Sequence, residues 1–181
     1  MTERIDEQGR PEPKFSASEE ENLLGYIDFL RATFAWKLKG LSEKQLRSTP
    51  LRSSMSLIGM AKHLAFVEDF WFVRIATGGA SAEPWKSVIW DDDPDWDWNS
   101  AAKEPADDVV ALWEKSVEDS RAAWDKISSQ KSFSLEDMAP KSFGEDKPSF
   151  RWILAHMIEE YGRHCGHADL LREEIDGATG E

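Results

Sequence analysis

Several things that would settle this chain's class at once are scarce or missing. It holds a single cysteine, Cys165, in 181 residues, which excludes an internal disulfide framework. No apolar run approaches the ~20 residues of a membrane span, and the N-terminus lacks a signal-peptide hydrophobic region. Basic residues are outnumbered: 22 Lys and Arg face 35 Asp and Glu, a formal net charge of −13. That balance gives no footprint for nucleic acid or for an anionic membrane surface. The expectation is a soluble, cytoplasmic protein that partners neither. Histidine is scarce too, with four residues in all, and three of them (His156, His164 and His167) share one short stretch. The fourth is His63.

What the chain does have is tryptophan. Nine indoles accompany a 40% hydrophobic content, enough for one well-buried core. Indoles either fill such a core or wall a pocket.

Residues 1–17 read as a disordered or loosely ordered tail, charged and interrupted by Pro11 and Pro13. Ser18 to Glu21 then has the form of a capping box, a hydroxyl at the helix start and a carboxylate three residues on. Leu23, Ile27, Leu30 and Phe34 recur behind it at helical spacing, predicting a first helix from about Ser18 to Lys39. Ser42 to Leu46 predicts one further short turn. A second helix is expected from Ser56 to Thr77, where Gly78-Gly79 stops it. A third should run from Glu104 to Ser128 and a fourth from Ser149 to Asp176, with Gly177 as its C′ residue. Residues 80–103 show no clear period and read as a long connection of the kind that covers sites. Four long helices and no strand pattern predict an all-α, four-helix bundle over residues 18–177, followed by a short tail at 178–181.

The acidic run Asp91-Asp-Asp-Pro-Asp-Trp-Asp97 invites a calcium reading, because alternate aspartates are how such loops bind. An EF-hand also requires Gly at its sixth position and Glu at its twelfth. Trp96 and Ala102 stand there, and Pro94 lies inside the loop. Solvated carboxylates, some capping the third helix, are the better reading.

On the fourth helix His156, Glu160 and His164 stand at i, i+4 and i+8. The outer two are about 12 Å apart along the axis, too far to share one ion. One adjacent pair at most can bind: His156–Glu160, Glu160–His164, or His164–His167 at i and i+3. Any such pair needs a ligand from another helix, and His63 is the candidate, projecting from the inward side between Met60 and Val67. From the chemistry alone, a core histidine bonded to a carboxylate or a carbonyl is the commoner explanation of His63. Spacing alone leaves both open. Cys165 is read as a small buried thiol rather than a nucleophile. Adjacent helical residues diverge by about 100°, so His164 is badly placed to activate it.

The segments Ser56-Leu-Ile-Gly-Met-Ala-Lys-His-Leu-Ala-Phe-Val-Glu-Asp-Phe-Trp-Phe72 and Phe150 to Gly177 resemble the second and fourth helices of the DinB-like superfamily. The likeness is to an actinobacterial branch related to mycothiol-dependent maleylpyruvate isomerase and to bacillithiol and mycothiol S-transferases. The resemblance implies a divalent metal held by His63, Glu160 and His164, with zinc expected first and nickel or iron as alternatives. It implies that a thiol such as mycothiol, activated at the metal as thiolate, attacks a small electrophile. His167 is then the candidate for moving a proton, and His156 supports the ligands from outside the metal shell. A homodimer is the family expectation. The isomerase relatives imply a second, C-terminal domain, and this chain ends shortly after Gly177. Maleylpyruvate isomerisation itself is therefore not expected. The leading expectation is an S-transferase, with a metal-dependent hydrolase or a non-catalytic, dimeric metal-binding sensor or scaffold as the alternatives. Trp71, Trp90 and Trp96 are the candidate walls of a substrate pocket.

Overall fold

The computed structural model describes residues 4–180, so residues 1–3 and 181 of the two expected tails lie outside the described residues. In chain order the helices are α1 (Glu19–Leu38), α2 (Glu43–Leu46), α3 (Leu57–Glu68), α4 (Trp96–Ala101), α5 (Ala106–Ser128) and α6 (Phe150–Asp176). α3 runs on directly into a π-helical segment, Asp69–Ala76, so four helical lengths are long. Among the described residues no strand forms, only isolated bridges. This is the all-α bundle class expected. Among the described residues no helix is long and apolar enough to cross a membrane. The chain divides into two compact units: residues up to Leu57 together with those from Leu154 onward, and residues Ile58–Ile153.

In the first unit both ends of α1 are fixed by side chains. The Ser18 hydroxyl accepts the Glu21 N–H at 3.2 Å and the Glu21 carboxylate accepts the Ser18 N–H at 3.0 Å, which is the capping box read from sequence. At the other end Arg172 donates to the carbonyls of Lys37 at 2.7 Å and Lys39 at 3.3 Å. Asp176 holds that guanidinium from behind through contacts of 3.1 and 2.8 Å. A cation on the last carbonyls of a helix satisfies orphaned acceptors and complements the dipole. α6 ends as expected, with Gly177 in the left-handed region at φ +77 and its N–H on the Glu173 carbonyl. Ahead of α1 the chain is tied down by Arg10, which is buried. Its guanidinium meets Asp6 at 2.6 Å and the Thr33 hydroxyl at 3.1 Å, and lies over the Phe29 ring.

In the second unit α5 packs along the π segment, where Phe72 meets Trp124 edge-on. The Ser120 hydroxyl donates to the Glu68 carbonyl at 3.2 Å. The sequence pattern predicts one α-helix here, but the winding changes at Asp69, and the apolar spacing carries no mark of it. The long connection also holds more structure than its lack of period suggests: a 3₁₀ turn at Trp85–Ser87 and the six-residue α4. An unbroken run of ring contacts links Trp96, Trp85, Phe66, Phe70, Trp71 and Trp152. Gly78 ends the π segment at φ +75, and a Cβ there would meet the Pro140 ring at 3.1 Å, so conformation and space both call for glycine.

Candidate functional site

In the second unit His63 stands on α3 among buried neighbours, Met60, Ala61 and Leu64. Its Nδ1 lies 2.7 Å from Asp97 Oδ2, and its ring stacks on Trp98 with centroids 5.1 Å apart. Asp97 is only 3% exposed, and its other oxygen accepts the Trp98 N–H at 3.0 Å. A buried carboxylate on Nδ1 orients the ring and favours a proton on that nitrogen, so that in the neutral form the lone pair lies on Nε2. Metal-ligating histidines are oriented in the same way.

The neighbouring side chain anchors the same segment. Lys62 is fully buried, its ammonium 2.5 Å from Glu104 and 4.2 Å from the centre of the Trp96 ring. Two consecutive residues of α3 thus latch α4 and the turn after it, one by charge and cation–π contact, the other through Asp97 and Trp98. Asp97 is the partner of His63 that the sequence pattern does not single out, because it sits in a run of aspartates that reads as solvated. Its flanking indoles, Trp96 and Trp98, are the signal that this acid faces inward. The rest of the run behaves as read: Asp93 is bound by the Asn99 amide at 2.9 Å and by the Asp95 N–H. α5, by contrast, starts behind Pro105 and takes no cap from the run.

In the first unit the α6 cluster is one face. Glu160 bridges two imidazoles, with one oxygen 3.4 Å from His156 Nε2 and the other 3.5 Å from His164 Nε2. His164 is buried, while His156 and Glu160 are half-buried. His156 also faces Glu159, and His156, Glu159 and Glu160 offer ligand atoms all within 4.8 Å of one another. Glu159 is exposed and paired with Arg163, which makes that trio a solvated face. One turn on, the His167 ring lies 5.5 Å from that of His164. Burial, then the neighbouring His164 and Arg163, push its pKa below the usual histidine value, which favours the neutral imidazole, the form able to accept a proton.

Cys165 is the buried thiol expected. Its Sγ donates to the Leu30 carbonyl at 3.5 Å, and burial, reinforced by Asp169, pushes its pKa up to about 12. A thiol so held is no nucleophile at neutral pH. Of the three candidate pocket tryptophans, Trp71 is buried among Phe70, Phe143 and Trp152. Trp90 and Trp96 are half-buried, the first against Phe66 at 4.4 Å and the second edge-on to Trp85.

Residues 22–177 match a family described as Mycothiol-S-transferase. A search of the curated proteins gave no match.

Proposed function

Because the chain belongs to the mycothiol S-transferase family, we propose that it is a divalent-metal-dependent S-transferase joining a low-molecular-weight thiol of the mycothiol type to a small electrophile. The ligands in this reading are His63, Glu160 and His164, a candidate set offering one ligand atom from each side chain. Two neutral imidazoles and one carboxylate suit zinc, and would also hold nickel or iron. The observation that carries the reading is the 2.7 Å contact between His63 and the buried Asp97. With Nδ1 so engaged, Nε2 would be the coordinating atom, its basicity raised by the carboxylate. When bound, the cation supplies a Lewis-acidic centre that favours the thiolate over the thiol.

The remaining work falls to the chain. His167, held neutral by burial, takes the thiol proton. The sulfur then forms a bond to the electrophilic carbon, and the leaving group departs with its electron pair. Trp90 and Trp96, half-buried, supply apolar wall for the electrophile, with Trp71 packed behind. His156 orients Glu160 from outside the ligand set.

Elemental analysis of the purified protein and its variants tests the ligand set. Glu160→Ala, His164→Ala and His63→Ala should each remove most bound metal, whereas His156→Ala should retain a substantial fraction. Equal loss in all four would return the pair assignment to His156–Glu160. Mass-spectrometric detection of S-conjugates from mycothiol and an electrophile panel tests the activity, and a metal-replete protein that forms none overturns it.

A further inference from the structure

Away from the histidines, the second unit contains a cavity of about 340 Å³ between the π segment and α5. We propose that this cavity is a binding site for a small primary ammonium group, with Asp69 as its counter-ion. The proposal concerns only residues of that unit and requires no metal.

Asp69, the first residue of the π segment, lines the cavity and is only 4% exposed. One oxygen accepts the Ala82 N–H at 3.1 Å. The Ser81 side chain also interacts with this carboxylate, yet Oδ2 is buried without a well-formed hydrogen bond among the described residues. A buried carboxylate oxygen without a donor is costly, and folded proteins seldom keep one that does nothing. Burial, with a contribution from Asp119, pushes the Asp69 carboxyl above the usual aspartate range, while hydrogen bonding from the Ser81 side chain and the Ala82 N–H, and the charge of Arg74, draw it the other way. Arg74 does not answer the charge by contact, since it is exposed and lies over the Phe70 ring.

The other charged groups at the cavity are Glu83, Asp119 and Lys115, and Lys115 is already paired with Asp119. Three carboxylates therefore face one ammonium, and the walls attract a further cation. A metal ion fits poorly. Among the described residues, groups whose ligand atoms lie within 4.8 Å of one another include none of Asp69, Glu83 or Asp119. An ammonium fits well, because its three N–H donors match Asp69 Oδ2, the Ser116 hydroxyl and a rim carboxylate. Trp85, Leu112 and Val73 complete the lining and suit a short alkyl stem. π-helical turns occur disproportionately at functional sites, and this one begins at the residue with the unmatched oxygen.

Titration of the ¹⁵N-labelled full chain with n-butylammonium chloride at pH 7.5, against 1-butanol and matched NaCl, tests the site. The ammonium should give saturable shifts centred on the Ala82 amide and the Trp85 indole N–H, and neither 1-butanol nor NaCl should do so. Asp69→Asn keeps an oxygen for Ala82 and should weaken the apparent affinity by about 10–100-fold, the worth of a charge-assisted hydrogen bond. Asp119→Asn should weaken it several-fold and serves as the second variant should Asp69→Asn lower the melting temperature. Absence of saturable shifts, equal shifts with 1-butanol, or unchanged affinity in the folded variants overturns the proposal.

Discussion

Asp97 and Asp69 lie in the same unit at the same depth, 3% and 4% exposed, and meet opposite fates. Both oxygens of Asp97 are used, one by the His63 imidazole and the other by the Trp98 N–H. At Asp69 one oxygen takes the Ala82 N–H, while Oδ2 has no well-formed hydrogen bond among the described residues, although the Ser81 side chain interacts with the carboxylate. Burying a carboxylate is tolerable when every acceptor finds a donor, and such a group builds structure. A half-matched carboxylate is held against its own solvation, so its retention calls for a role outside the fold. On the two readings proposed above, the difference separates a residue that positions a metal-binding histidine from one that takes a bound cation.

The largest expected effect comes from removing the anchor beside His63. Lys62→Ala deletes the buried partner of Glu104 and the cation over Trp96, and should cost about 3–5 kcal/mol. Glu104 is 39% exposed, so the lower end is expected, visible as a reduced urea midpoint. A loss below about 1 kcal/mol would mean that α4 is not latched by charge. The next effect separates the aspartates directly. Asp97→Asn should weaken metal affinity by ~10–100-fold in chelator competition, whereas Asp69→Asn leaves it unchanged; equal affinities would erase the distinction.

A smaller effect follows from pH. The Asp69 pKa is raised in the folded state, so its contribution to stability is full below the usual aspartate value of about 3.9 and is lost as pH rises through the folded value. Asp69→Asn should therefore match the native melting temperature in acid and exceed it by a few degrees at neutral pH, about 2–4 °C per kcal/mol. A native protein that gains on the variant as pH rises would show Asp69 to be fully matched. The smallest effect concerns a third buried acid. With its pKa near 12, the Cys165 thiol should resist iodoacetamide at pH 8 until the chain is unfolded. Rapid labelling of the folded protein would show burial alone to be a poor guide to all three.

Helix ends were legible in the sequence wherever a local rule fixes them. Ser18 with Glu21, Ser42 and Gly177 each act within a few residues, and the structure shows each as expected. The π segment was not legible, because a turn of i→i+5 bonding leaves the apolar spacing nearly that of an α-helix. α4 was hidden by length: six residues are too few for a period, and the segment stands on contacts to Lys62 and His63 that are 34 or more positions away. Arg10 escaped for the same reason, since its burial depends on Thr33 and Phe29. At the candidate site the imidazoles and Glu160 could be picked out because helical spacing is a local rule. Asp97 could not, because in a run of like residues only tertiary contact distinguishes the one that turns inward.

The uneven placement of the indoles has an optical consequence. Of the nine tryptophans, all but Trp36 fall within Ile58–Ile153, and several touch ring to ring. Near-ultraviolet dichroism, which needs fixed aromatic surroundings, is therefore weighted to the second unit. Far-ultraviolet dichroism reads helix wherever it occurs. Melting followed at both wavelengths on one sample gives coincident curves if the whole chain unfolds in a single step. An aromatic signal that fades first would mark residues 58–153 as the part that loosens first.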